Sequence, residues 1–178
     1  MLRTTLLALI LLPVATLAIA RPAAADNTPL NYAVQASVWT THFNPQPYHN
    51  NNQRLLGVER FGDNFVTNPL VDHTPLFDTA TPLAGVTLFR NSFNQRSAYA
   101  YAGFRQPVVR SYRTEFYLKL TGGVIHGYRG EHRDKIPLNR FGTTVAVIPS
   151  LGIQHNRVNA EAVLFGMAGM MINVGFSF

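Results

Sequence analysis

Three residues in this chain have the types needed for acyl transfer: His42, which follows the alternating run Tyr32 to Thr41, and the adjacent pair Asn91 and Ser92, which follows a second such run. An imidazole beside a serine hydroxyl can take its proton, and an amide or carboxylate neighbour can orient the ring. The three lie far apart in sequence, so the chemistry requires a fold that brings the ends of two elements to one rim. His49, His73, His126, His132 and His155 show no paired spacing of the kind metal sites use, and they read as loop or rim residues. Neither a metal nor a cofactor is expected.

The elements that must position these residues read as strands. In Met170 to Phe178, residues Met170, Ile172, Val174, Phe176 and Phe178 form an apolar row, and Met171, Asn173, Gly175 and Ser177 form a smaller, mostly polar one. A chain that stops on an aromatic of such a strand fits an outer-membrane barrel, with the apolar row on lipid and the other on the lumen. Similar runs cover Asn31 to Phe43, Leu55 to Phe61, Leu83 to Asn91, Ser97 to Gln106, Arg113 to Ile125, Thr143 to Ile153 and Arg157 to Leu164. In the fourth, Ala98, Ala100, Ala102 and Phe104 oppose Tyr99, Tyr101, Gly103 and Arg105. The small row is unusual for a lipid face, so the aromatic row is expected to face lipid. Pro149 is expected to break the sixth ladder locally. The stretch from Gly62 to Pro82, punctuated by Asn68-Pro69, Thr74-Pro75 and Thr81-Pro82, defines no strand.

The fold class is therefore all-β: an eight-stranded antiparallel transmembrane β-barrel, an even count that lets both termini share the periplasmic side. Such a barrel holds only side chains or one slender ligand, which excludes an open porin channel. Glycine and alanine in the lumen rows leave room for an acyl chain or reflect tight packing.

Ahead of the barrel, Met1-Leu2-Arg3, the apolar run Leu6 to Ala20 and Ala23-Ala24-Ala25 have the pattern of a signal peptide over residues 1–25, leaving 26–178 as the barrel domain. Without cysteine, no disulfide can brace an exported chain, so stability must come from a closed sheet or a large core. Losing Arg3 and Arg21 with the leader leaves 13 basic residues against 9 acidic ones, a net charge of +4. That excess suits anionic lipid phosphates or is ordinary surface charge, and no nucleic-acid motif accompanies it. In the loop from His126 to Arg140, Glu131 and Asp134 interleave with Arg129, Arg133, Lys135 and Arg140, which reads as a solvated charged loop.

The segments Val38 to Phe43, Tyr48 to Val58 and Phe89-Arg90-Asn91-Ser92-Phe93-Asn94, with the C-terminal half, resemble the PagP family of lipid A palmitoyltransferases. The family's pattern is a Trp-His pair ending the first strand and a Phe-Lys-Asp-Ser-Trp-Asn segment at the outer end of a later one. The resemblance implies His42 as catalytic histidine, Ser92 as catalytic serine, and Asn91 where the family has Asp. It also implies Gly103 as the glycine at the floor of the acyl pocket. Here Trp39 and His42 are separated by two threonines, and the residues from Asp26 to Tyr32 are too few for the family's amphipathic N-terminal helix. The implied activity moves an acyl chain from a phospholipid to lipid A of lipopolysaccharide in the outer membrane of a Gram-negative cell, by a monomer that needs no nucleic acid. The rival is a non-enzymatic barrel with a structural or lipid-binding role.

Overall fold

Alternating sequences favour pleated strands with two unlike faces, and a sheet of such strands loses its unpaired edges only by closing. The computed structural model describes residues 31–62, 67, 79–135 and 140–178. The expected leader and most of the 62–82 stretch lie outside these residues. The strands are β1 (Tyr32–His42), β2 (Leu56–Phe61), β3 (Thr81–Arg90), β4 (Arg96–Ser111), β5 (Thr114–His126), β6 (Thr143–His155), β7 (Val158–Leu164) and β8 (Gly169–Ser177). Each is antiparallel to its chain neighbours, and β8 returns to β1 to close the barrel. Tight turns join β4 to β5 and β6 to β7 at the end that holds both strand termini, where Tyr32 stacks on Phe178 at 6.1 Å. The opposite end carries the β1–β2, β3–β4, β5–β6 and β7–β8 loops, with a 3-10 turn at Gly130–Lys135.

The exterior is apolar. Val34, Leu56, Val58, Val86, Leu88, Leu118, Leu120, Val124, Val145, Val147 and Val174 all expose their side chains on the outside of the strands. Trp39 lies toward one edge of this belt, and Tyr32, Phe116, Phe176 and Phe178 lie toward the other. Such a belt between aromatic edges is the surface of a barrel in lipid.

One facing is the reverse of the sequence expectation. Tyr99 and Tyr101 point into the lumen, and Ala98, Ala100, Ala102 and Phe104 turn outward. The reason lies in the phenols: Tyr101 Oη donates to Glu59 Oε1 at 2.8 Å and Tyr99 Oη to Thr121 Oγ1 at 3.2 Å, partners that lipid cannot offer. Pro149 breaks its ladder on one side only. It pairs with Leu120 inside an uninterrupted β5–β6 ladder, and on its other side the β6–β7 ladder reaches no further than Ser150. The missing donor thus coincides with the end of a ladder.

The lumen rows are less empty than their glycines suggest. Lys119 Nζ bridges Glu59 Oε1 at 2.8 Å and Glu161 Oε2 at 2.6 Å, all three side chains being buried. Tyr101 and Gln35 add hydrogen bonds to Glu59, and Tyr117 Oη donates to Glu161 Oε1 at 2.8 Å. Toward the termini, the Arg105 guanidinium lies 3.7 Å from the centre of the Tyr117 ring and pairs with Glu115 at 2.6 Å. These groups fill the terminal half of the lumen with paired charges. Gly152 is part of that packing, because a Cβ there would overlap the Tyr117 ring. Gly152→Ala should therefore destabilise the barrel by about 1–3 kcal/mol. The check is the urea midpoint of the refolded protein, with Gly122→Ala, where no heavy atom lies within 4 Å, as the comparison.

Candidate active site at the loop rim

His42 reaches the lumen through a bulge. Ala33 and Gln35 face inward along β1, and strict alternation would send position 42 to lipid. Between Ser37 and Trp39 the register with β8 slips, Val38 and Trp39 both face out, and Thr40 begins an inward row of the opposite parity. A bulge inserts one residue and re-aims the side chains beyond it. The two threonines between Trp39 and His42 therefore bring the imidazole to the inner rim. Across from it, Gly169 pairs with His42, and a Cβ there would collide with the backbone of Thr41.

Ser92 stands in the turn between β3 and β4. The turn is organised by Asn91, which is only 1 % exposed. Its Oδ1 accepts from the Phe93 N–H at 2.9 Å and the Gln95 N–H at 3.0 Å, and its Nδ2 donates to Gly127 O and Gln95 Oε1, each at 3.4 Å. The Asn50 N–H in turn donates to Ser92 O at 2.7 Å, tying the β1–β2 loop to this turn.

The two elements bring His42 Nε2 within 2.9 Å of Ser92 Oγ. The other ring nitrogen, Nδ1, lies 2.7 Å from Asn51 Oδ1. That oxygen can only accept, so Nδ1 carries the ring proton and Nε2 is free to accept from the serine hydroxyl. The result is a Ser92–His42–Asn51 chain. Asn91, the amide singled out in the sequence, hydrogen-bonds the backbone of its own turn and Gly127 rather than the imidazole. The ring partner comes instead from the run Asn50-Asn51-Asn52, whose three identical amides gave no sign of which one would be used.

His49 lies over His42 with ring centroids 4.3 Å apart. Its Nδ1 accepts from the Gln46 N–H at 3.3 Å. Burial, with a smaller contribution from the His42 charge, holds its pKa below the ordinary value. His49 is thus a neutral wall at neutral pH. Phe93 extends this wall, stacking on His132 at 4.0 Å.

Below the three residues lies a cavity of about 760 Å³. Leu55, Phe89, Ile125, Ile148, Val163 and Met171 give it an apolar collar, and Gln35, Glu59, Tyr101 and Lys119 bring it to a polar floor. Gly103 is not among the lining residues. It faces inward one pleat closer to the termini than Tyr101, where a Cβ would overlap the Leu120–Thr121 backbone. The floor of the cavity is built instead by Tyr101 and the ion pairs around Lys119. Among the described residues no group of three or more histidine, cysteine or acidic side chains is placed to hold a metal.

A closed antiparallel barrel with an apolar belt, and with its long loops mostly opposite its termini, is an outer-membrane β-barrel. This one carries a serine, a histidine and an asparagine in hydrogen-bonded sequence over a half-apolar cavity. No protein-family model matches the chain, and no curated protein matches it. Among solved structures, the backbone structure of the Yersinia pestis outer membrane protein Ail in a phospholipid bilayer nanodisc is similar at 10% sequence identity. That similarity covers 83% of this chain and 99% of Ail, with a TM-score of 0.39.

The positions of the two asparagines lead to opposite expectations for the same substitution. Asn91→Asp should lower any serine-dependent activity, because it replaces the Nδ2 donor facing Gly127 O and Gln95 Oε1 with a third acceptor. Asn51→Asp should leave activity unchanged or raise it, since a carboxylate there would balance the imidazolium that forms during catalysis. Rates of both variants with a chromogenic ester check the pair.

Proposed function

We propose that the protein is an outer-membrane acyltransferase that moves a fatty acyl chain from a phospholipid to lipid A or another lipid hydroxyl. What carries this reading is the single imidazole hydrogen-bonded at one nitrogen to Ser92 and at the other to Asn51. Ser92 Oγ attacks the ester carbonyl while His42 Nε2 takes its proton. The lysolipid alkoxide leaves with that proton, and the acyl chain remains on Ser92. An acceptor hydroxyl then attacks the acyl-serine, gives its proton to His42 and restores the serine. The apolar collar below the serine suits the acyl chain of the donor. Holding ester and acceptor together at the rim supplies much of the rate.

The charge-filled terminal half of the lumen favours the rival, a non-enzymatic barrel in which these groups serve stability alone. The two readings separate in mixed micelles of phospholipid, lipid A and refolded protein, followed by mass spectrometry. Acyl-lipid A and lysophospholipid appearing together support transfer. Free fatty acid in place of acyl-lipid A makes water the acceptor. No change in any lipid, with native barrel confirmed, leaves the structural role.

A further inference from the structure

The cavity below Ser92 begins in an apolar collar and ends on a polar floor. Much of that floor is partnered within the protein: Glu59 by Lys119, Tyr101 and Gln35, and Glu161 by Lys119 and Tyr117. Asn173 is different. It belongs to the inward row of β8, lines the same cavity and is 3 % exposed, yet its Oδ1 has no hydrogen-bond partner among the described residues. Its cross-strand neighbours do not supply one, since Glu161 is a carboxylate and Ser37 Oγ is engaged with the Leu55 N–H at 2.9 Å. A plain hydrocarbon chain reaching this level would shut water away from the amide and put nothing in its place, whereas a hydroxyl could donate to it. A hydroxyl also accepts, so it pairs with the amide whichever way that group is turned. The depth of Asn173 follows from the register of the sheet. Gly169 pairs with His42 at the rim, and Asn173 stands four residues further along β8, about 13 Å at the usual rise of a strand. An extended chain of about ten carbons, with C–C bonds of about 1.5 Å, spans that length.

We infer that the cavity is a subsite for an acyl chain carrying a hydroxyl about ten carbons from its ester, and that Asn173 Oδ1 accepts from that hydroxyl. The collar of Leu55, Phe89, Ile125, Ile148, Val163 and Met171 takes the methylenes, and Asn173 reads the polar end. The inference rests on the acyl-transfer reading of the site and adds to it the class of acyl group that is moved. A site with an amide waiting at its floor disfavours the chain that lacks the hydroxyl, because binding that chain leaves the amide both dry and unpaired.

The test uses the full barrel in detergent and two p-nitrophenyl esters, decanoate and the decanoate with a hydroxyl on its terminal carbon. Wild type should cleave the hydroxylated ester with kcat/KM about tenfold higher, although the hydroxyl makes that chain the less hydrophobic of the two. Asn173→Leu, which offers the floor an apolar group of similar size, should reverse the order, since the hydroxyl is then buried without a partner. Equal cleavage of the two esters by wild type, or a preference for the plain one, overturns the inference. So does a folded Leu variant that still prefers the hydroxylated ester. The wild-type comparison stands by itself if the variant misfolds. Wild type that cleaves neither ester removes the acyl-transfer reading, and displacement of a fluorescent fatty acid from the barrel by the two free acids then decides the subsite separately. Displacement at about tenfold lower concentration by the hydroxylated acid keeps the cavity as a site for such chains, and displacement at equal concentrations overturns it.

Discussion

Replacing Ser92 with alanine should reduce the proposed acyl transfer by about a thousandfold or more, and His42→Ala should match it, while the double variant should be no worse than either alone. The reason is that the two side chains act through one proton. With Oγ gone, His42 Nε2 has no hydroxyl to deprotonate, and with the imidazole gone, the hydroxyl is a poor nucleophile at neutral pH. The 2.9 Å contact between them and the 2.7 Å contact from His42 to Asn51 require no rearrangement before attack. Both alanine variants should retain the closed barrel, since both sites lie at the rim outside the buried layer around Lys119. Transfer rates from phospholipid to lipid A, with the heat-dependent shift in electrophoretic mobility as the folding control, give the answer. Two single variants at full rate would remove this pair from the chemistry, and multiplicative losses in the double variant would mean that they act separately.

Much of the barrel was legible because lipid and lumen impose period-two alternation on every strand. Eight such runs, ending in Phe176 and Phe178, correspond to the eight strands of the closed sheet. The reading went astray where a residue type suits both faces. Tyr99 and Tyr101 carry large apolar rings with a polar end, so either solvent was plausible, and only Glu59 and Thr121, both distant in sequence, decide the matter. The bulge at Val38 is another such place. Simple alternation from Ala33 and Gln35 gives His42 the wrong parity, and only the slip between Ser37 and Trp39 corrects it. Asn51 owes its position to a loop contact, which follows no period. The charged layer left a fainter mark: Glu161 is the one charge of β7, but Glu59 is followed by Arg60 in β2 and Lys119 shares β5 with Glu115, so the sequence does not say which charges pair.

That layer carries the largest expected effect on stability. Lys119→Met removes the one ammonium shared by Glu59 and Glu161, two carboxylates that are 2 % and 4 % exposed. The methionine fills the volume but leaves negative charge in the lumen without its cation, and breaking a buried pair from one side costs about 3–5 kcal/mol. Tyr101 and Tyr117 would still donate to the carboxylates, so the structure should loosen around the layer rather than lose its strands. The triple variant Lys119→Met, Glu59→Gln, Glu161→Gln separates charge from packing. Its amides keep similar shapes and can still accept from the two phenols, so it should recover most of the lost stability. Urea unfolding in lipid vesicles, monitored by the fluorescence of Trp39, measures all three proteins. If the single variant is as stable as wild type, the layer is not held by charge compensation; if the triple variant is no better than the single one, what Lys119 contributes is its packing. Because His42 and Ser92 stand at the far rim, the triple variant should also keep its acyl-transfer rate, with any change confined to the length of acyl chain that the altered floor admits.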